Sequence, residues 1–158
     1  RNATQTATAL AAAVRSQETG GGRRITTALT HGDFQPANIL AAGEGTWLVD
    51  WEYADRRQAG YDGLVFGLAA RFPRGLAGRL ADFVTHGWPA AAPGGAADWP
   101  GLTLTDRETR RLHAALFGLE ELALHLEENA QPVFTRPGEG LLILLQELTA
   151  WQGQHRDG

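Results

Sequence analysis

The side chains best suited to chemistry lie close together. In the run THGDFQPANIL (residues 30–40), Asp33 and Asn38 occupy a polar loop that contains glycine and proline. In WLVDWE (residues 47–52), Asp50 closes an apolar stretch. If the chain folds back on itself between them, Asp50 comes beside the segment that opens at Asn38. One carboxylate and one amide oxygen would then converge, with a second carboxylate on the loop nearby. Hard oxygen ligands of this kind suit Mg²⁺, which is usually completed by water and substrate phosphates. Asp33 would remain to orient a hydroxyl and accept its proton.

The elements around these residues must do the positioning. Two short apolar stretches, 38–41 and 46–51, flank Gly43 and Gly45 and predict a β-hairpin. Residues 24–29 are rich in β-branched side chains and predict a short strand before the loop. An alanine-rich helix over 3–15 precedes it, capped by Asn2 and carrying a thin apolar edge of Leu10 and Val14. Gly20, Gly21 and Gly22 read as a helix stop and linker. Beyond residue 60 the period becomes helical, with helices expected over 61–72 and 75–85, separated by Pro73. Residues 88–101, rich in Ala, Gly and Pro, read as a flexible loop or insert. The longest helix is expected to start at Thr105, with Thr105 and Glu108 as a capping box. Its buried stripe would be Leu112, Leu116, Leu119, Ala123 and Leu126. A last helix over 139–152 would bury Leu141, Leu144, Leu145 and Leu148. The sum is an α+β fold, mainly helical.

The ordered pattern HGDxxxxN, then an aspartate after an apolar strand, resembles the kinase-like phosphotransferases, in particular the aminoglycoside phosphotransferase and choline kinase group. The resemblance implies that the whole chain, 1–158, is the C-terminal lobe of a protein-kinase-like fold, with the hairpin carrying the catalytic loop and metal site. It implies Asp33 as catalytic base, with His31 bracing the catalytic loop, and Asn38 and Asp50 as the ligands of Mg²⁺ and, through it, of ATP. Asp62 falls where the group has an aspartate that buttresses the loop. The reaction implied is transfer of the γ-phosphate to the hydroxyl of a small molecule, an amine or aminoglycoside among the candidates.

The same family needs a glycine-rich loop over the phosphates and a strand lysine. All 14 residues counted as Lys+Arg are arginine, so that lysine is absent, and the chain holds no Met. The expectation is a piece of a longer protein whose N-terminal nucleotide lobe is a missing partner, and which is inactive alone. The rival readings are a non-catalytic kinase-like module that binds a small cationic ligand, and a metal-dependent hydrolase.

The remaining composition narrows the field. At 43% hydrophobic and 20% charged, the chain is ordinary for a globular domain. A net charge of −4 with scattered arginine pairs argues against nucleic acid as a partner. No apolar run is long enough to cross a bilayer and no signal peptide is evident, so no membrane partner is expected and the cytoplasm is the default. Without Cys there are no disulfides or thiolate metal sites. Glu120, Glu121, Glu127 and Glu128 form an acidic strip near a helix C-terminus. It reads as a solvated face, paired with Arg110 and Arg111, or else as a recognition surface for a cationic substrate. Trp47 and Trp51 share a strand face and are expected to pack against helices.

Overall fold

The computed structural model describes residues 2–18, 24–88, 104–130 and 138–154. Over these the chain is α+β and mainly helical, with two small antiparallel sheets of two strands each. Five helices carry the core: α1 (Ala3–Glu18), α2 (Tyr61–Gly67), α3 (Leu76–His86), α4 (Arg107–Asn129) and α5 (Glu139–Gln154). The strands are β1 (Thr27–Thr30), β2 (Ile39–Ala42), β3 (Gly45–Leu48) and β4 (Asp55–Gln58). The linker expected at Gly20 to Gly22 lies outside the described residues, as does the expected insert except for Trp88.

Asn2 caps α1 as expected: its Oδ1 accepts from the Gln5 N–H at 2.9 Å, and Gln5 Oε1 accepts from the Asn2 N–H at 3.2 Å. Leu10 and Thr6 are fully buried, so this helix is anchored into the core. Gly118 of α4 makes that possible. A Cβ there would sit 3.1 Å from Leu148 of α5 and 3.4 Å from Leu10 of α1, so the missing side chain lets three helices meet.

The hairpin forms with Ile39 opposite Leu48 and Leu40 opposite Trp47. Its second strand stops at Leu48 rather than running to residue 51, because Asp50 takes φ 67°, which no strand accommodates. Trp47 and Trp51 do not pack as expected. They are 64% and 49% exposed. The expected strand before the loop shifts to β1, and its partner is β4, with Thr30 opposite Asp55. Strand β4 was not foreseen, since Asp-Arg-Arg-Gln has no apolar alternation.

Helix α2 ends at Gly67, short of the expected residue 72, and the chain turns through Ala69 at φ 45°. Arg79 supplies the reason. Its guanidinium donates to the carbonyls of Leu68 (2.6 Å), Phe72 (2.7 Å) and Arg74 (2.9 Å), holding the turn closed. Helix α3 is tied to α5 by Glu147, which accepts from the N–H groups of Gly75 (2.8 Å) and Ala77 (2.9 Å).

Helix α4 departs from expectation twice. Its cap is Asp106 rather than Thr105: the side chain accepts from Thr109 N at 2.8 Å and from Thr109 Oγ1 at 2.6 Å. Its buried face runs through Ala114, Phe117, Gly118, Glu121 and Leu122, while Ala123 and Leu126 are exposed. The close approach at Gly118 and the burial of Glu121 set the phase, overriding the leucine count. In α5, Leu141, Leu144 and Leu148 are buried as expected, joined by Trp151, and Leu145 packs partly buried against them. Among the described residues, no helix is long and apolar enough to cross a membrane.

Candidate active site

The loop between β1 and β2 is held from three sides. Gly32 adopts φ 87°, and a Cβ there would lie 2.2 Å from the carbonyl oxygen of Tyr53, so only glycine fits. Asp62, in the first turn of α2, accepts the backbone N–H of His31 at 2.7 Å and of Gly32 at 3.0 Å. This is the buttress position that the resemblance gave it. His31 is 1% exposed, with its ring 4.8 Å from that of Trp51. The backbone N–H of Asp33 donates to His31 Nδ1 at 3.2 Å, which leaves Nε2 to carry the proton and donate to the Val49 carbonyl at 2.7 Å. Both ring nitrogens are therefore engaged, and the ring ties the loop to the exit of β3.

Asn38 closes a short 3₁₀ turn, Pro36–Asn38. Its Nδ2 donates to the carbonyl and to Oδ2 of Asp33, each at 2.8 Å, and its backbone carbonyl accepts from Val49 N at 3.0 Å. Its Oδ1 has no hydrogen-bond partner among the described residues. The fold-back expected from sequence thus brings Val49, one residue before Asp50, onto both Asn38 and His31. Asp50 itself is exposed and left-handed, a conformation that non-glycine residues seldom keep without a reason.

Asp33 is the most heavily contacted of these groups. Oδ2 accepts from Gln35 Nε2 and Asn38 Nδ2, both at 2.8 Å. Oδ1 accepts from Arg71 Nε at 2.5 Å. Burial alone would raise its pKa, but the Gln35 bond, the Arg71 charge and the bonds from Arg71 and Asn38 hold the carboxyl below its ordinary range. Arg71 sits on the turn after α2 and also donates to the Gly32 carbonyl at 2.5 Å and to Glu121 Oε2 at 2.9 Å.

The acidic strip is not one surface. Glu121 is fully buried and takes a short hydrogen bond from the Tyr61 hydroxyl. Glu120 accepts from Gln58 N at 3.0 Å and Gln58 Nε2 at 2.8 Å, and burial pushes its carboxyl up despite those bonds. Arg110 does not pair with the strip; it donates to backbone carbonyls, among them Val84 at 2.9 Å and Thr105 at 2.9 Å. Glu127 and Glu128 face a cavity of about 640 Å³ with Glu52, Tyr53, His125 and Asn129. A second cavity of about 320 Å³ holds Asp33, Gln35 and Arg71, and shares Glu52, Tyr53, His125 and Glu128 with the first. The Tyr53 phenol is pushed up by its hydrogen bond to Glu128, by burial, and by the charges of Glu128 and Glu52.

Protein-family models, curated proteins and solved structures yield no match to the chain. Its chemistry must be read from its own geometry. No group of His, Cys, Asp or Glu large enough to hold a metal by itself occurs among the described residues. Mg²⁺ can be held by one or two protein oxygens with water and phosphate completing its shell, so it does not require such a group.

Gln35, Tyr53 and Arg71 escaped the sequence reading, and Glu121, expected on the acidic strip, is buried instead. The one available signal was Glu121, a carboxylate amid Leu119, Leu122 and Leu124 on an apolar helix. Arg71 gave none, because its pairing spans fifty residues of chain to Glu121.

Proposed function

We propose that the chain is the catalytic and substrate lobe, kinase-like in fold, of an ATP- and Mg²⁺-dependent phosphotransferase that acts on the hydroxyl of a small molecule. The observation that carries this is Asp33, whose carboxylate lies at a cavity and is fixed by a loop bonded to the segments bearing Asn38 and Asp50. Asp33 accepts the acceptor hydroxyl's hydrogen bond on an Oδ1 lone pair and takes its proton as the new O–P bond forms and the bond to ADP breaks. A base of low pKa suits that order, because a loose transition state demands little deprotonation early on. Asn38 Oδ1 and Asp50 would hold Mg²⁺, which supplies charge neutralisation at the phosphates when bound. His31 holds the loop through its two ring bonds. Gripping the nucleotide falls to a partner lobe with a glycine-rich turn and a strand lysine, and ATP dependence puts the activity in the cytoplasm.

The acceptor docks in the joined cavities, where Glu52, Glu127 and Glu128 favour an amine-bearing alcohol, aminoglycosides included. In the protein as its source cell makes it, Asp33→Ala and Asp50→Ala are each expected to lower kcat by about 10³-fold or more with Tm near the parent's. Near-normal turnover in either would sink the assignment.

A second reading is favoured by Asp33 being paired on both oxygens: a non-catalytic module that binds a small cation. Calorimetry would support it by showing amine binding with no ATP consumption, and would count against it if binding required ATP and Mg²⁺.

A further inference from the structure

Arg71, Glu121 and Tyr61 form a chain of polar contacts that the reaction as described does not use. The Arg71 guanidinium reaches Asp33 Oδ1 (2.5 Å), the Gly32 carbonyl (2.5 Å) and Glu121 Oε2 (2.9 Å). Its side chain is 16% exposed, that of Asp33 14%, and that of Glu121 1%. The other Glu121 oxygen takes the Tyr61 hydroxyl. Burying this much charge is costly, and hydrophobic residues of similar volume often serve stability as well. Glu121 also begins the turn of α4 that continues through Leu124, His125 and Glu128, all of which line the cavity containing Asp33.

We infer that Arg71, anchored by Glu121, is a positioning residue that fixes the Asp33 carboxylate relative to the wall of the acceptor cavity. The inference rests on the phosphotransferase reading. Arginine is required because its planar fork serves carboxylate, carbonyl and carboxylate at once, whereas a lysine ammonium offers one point charge.

The test uses Arg71→Lys and Glu121→Gln in the intact protein, since both keep volume and polarity. Kinetics should show kcat lowered about 10²-fold, the cost of a small misplacement of a reacting group. KM for ATP should hold within about twofold, because uniform nucleotide binding is untouched. Parental kcat in Arg71→Lys would overturn the inference, because charge alone would then suffice. A second readout needs no turnover. In ¹H–¹⁵N spectra, Glu121→Gln should move the Arg71 Nε–H signal and the Gly32 and Asp33 amides, while Leu80 and Phe83 stay in place. Unmoved loop signals would overturn the link even in an active enzyme. If the parent phosphorylates no acceptor, the phosphotransferase reading falls, and the link is judged on those signals alone.

Discussion

A single methyl group would undo the loop at Gly32. An alanine there meets the Tyr53 carbonyl at 2.2 Å and must hold φ 87° as well. Gly32→Ala should cost roughly 2–4 kcal/mol, read by urea unfolding, and no flexible side chain is present to yield. A second residue-scale expectation concerns acid. His113 donates Nδ1–H to Gln58 Oε1, and burial lowers its pKa to about 4. The unfolded chain binds that proton near pH 6.5, so stability is full above 6.5 and falls as pH drops toward 4. The loss should reach about 2 kcal/mol by pH 5. Glu120, whose pKa is raised, works in the opposite direction and trims the fall. His113→Asn should flatten the dependence of Tm on pH between 7 and 5; an unchanged slope would mean the ring is not what titrates. At this scale the grouping of His31, Asp33 and Asn38 and the fold-back toward Asp50 were legible because their types and spacing form one ordered run, and Asp62 was placed by the resemblance alone. Arg71 and Gln35 were not legible, nor was the burial of Glu121, since nothing local to any of them shows which group it meets.

Caps and phases decide matters at the level of the element. Thr105 and Asp106 are both good cap residues; the Thr105–Glu108 spacing favours the first, although aspartate is the stronger cap. In the fold Asp106 reaches both the N–H and the hydroxyl of Thr109. Asp106→Ala should therefore lower stability by about 1 kcal/mol, while Thr105→Ala leaves the unfolding midpoint in place. A larger effect at Thr105 would contradict the observed cap. The phase of α4 was misread for a related reason. Leucine spacing describes one helix, whereas the buried face depends on where Leu10 and Leu148 close over Gly118. Likewise α2 stops early where Arg79, from the next helix, takes the carbonyl of its C-cap residue Leu68. Such partners lie outside any local window.

Taken whole, the core lies among the helices, and two of them, α2 and α4, also reach the candidate site. An α+β, mainly helical chain was legible from the change of period near residue 60. The docking of α1 onto α4 and α5 was not, since its edge of Leu10 and Val14 names no partner. Leu10 is fully buried between Gly118 and its neighbours, so Leu10→Ala should cost about 3 kcal/mol. That is a large share of the 5–15 kcal/mol that typically holds a domain together. The variant should unfold at lower temperature in calorimetry while keeping the loop signals of Gly32 and Asp33. Loss of those signals below the transition would show that α1 shapes the site as well as the core.

Asp50 separates two selection pressures. Its left-handed backbone at φ 67° is one that glycine or asparagine occupies at lower cost. If Asp50 holds Mg²⁺ in the proposed reaction, a screen for heat resistance alone would reward replacement at position 50 and disarm the protein while improving it on that measure. A library sorted for survival after heating, then for phosphoryl transfer, should split at this codon, glycine and asparagine filling the first pool and aspartate the second.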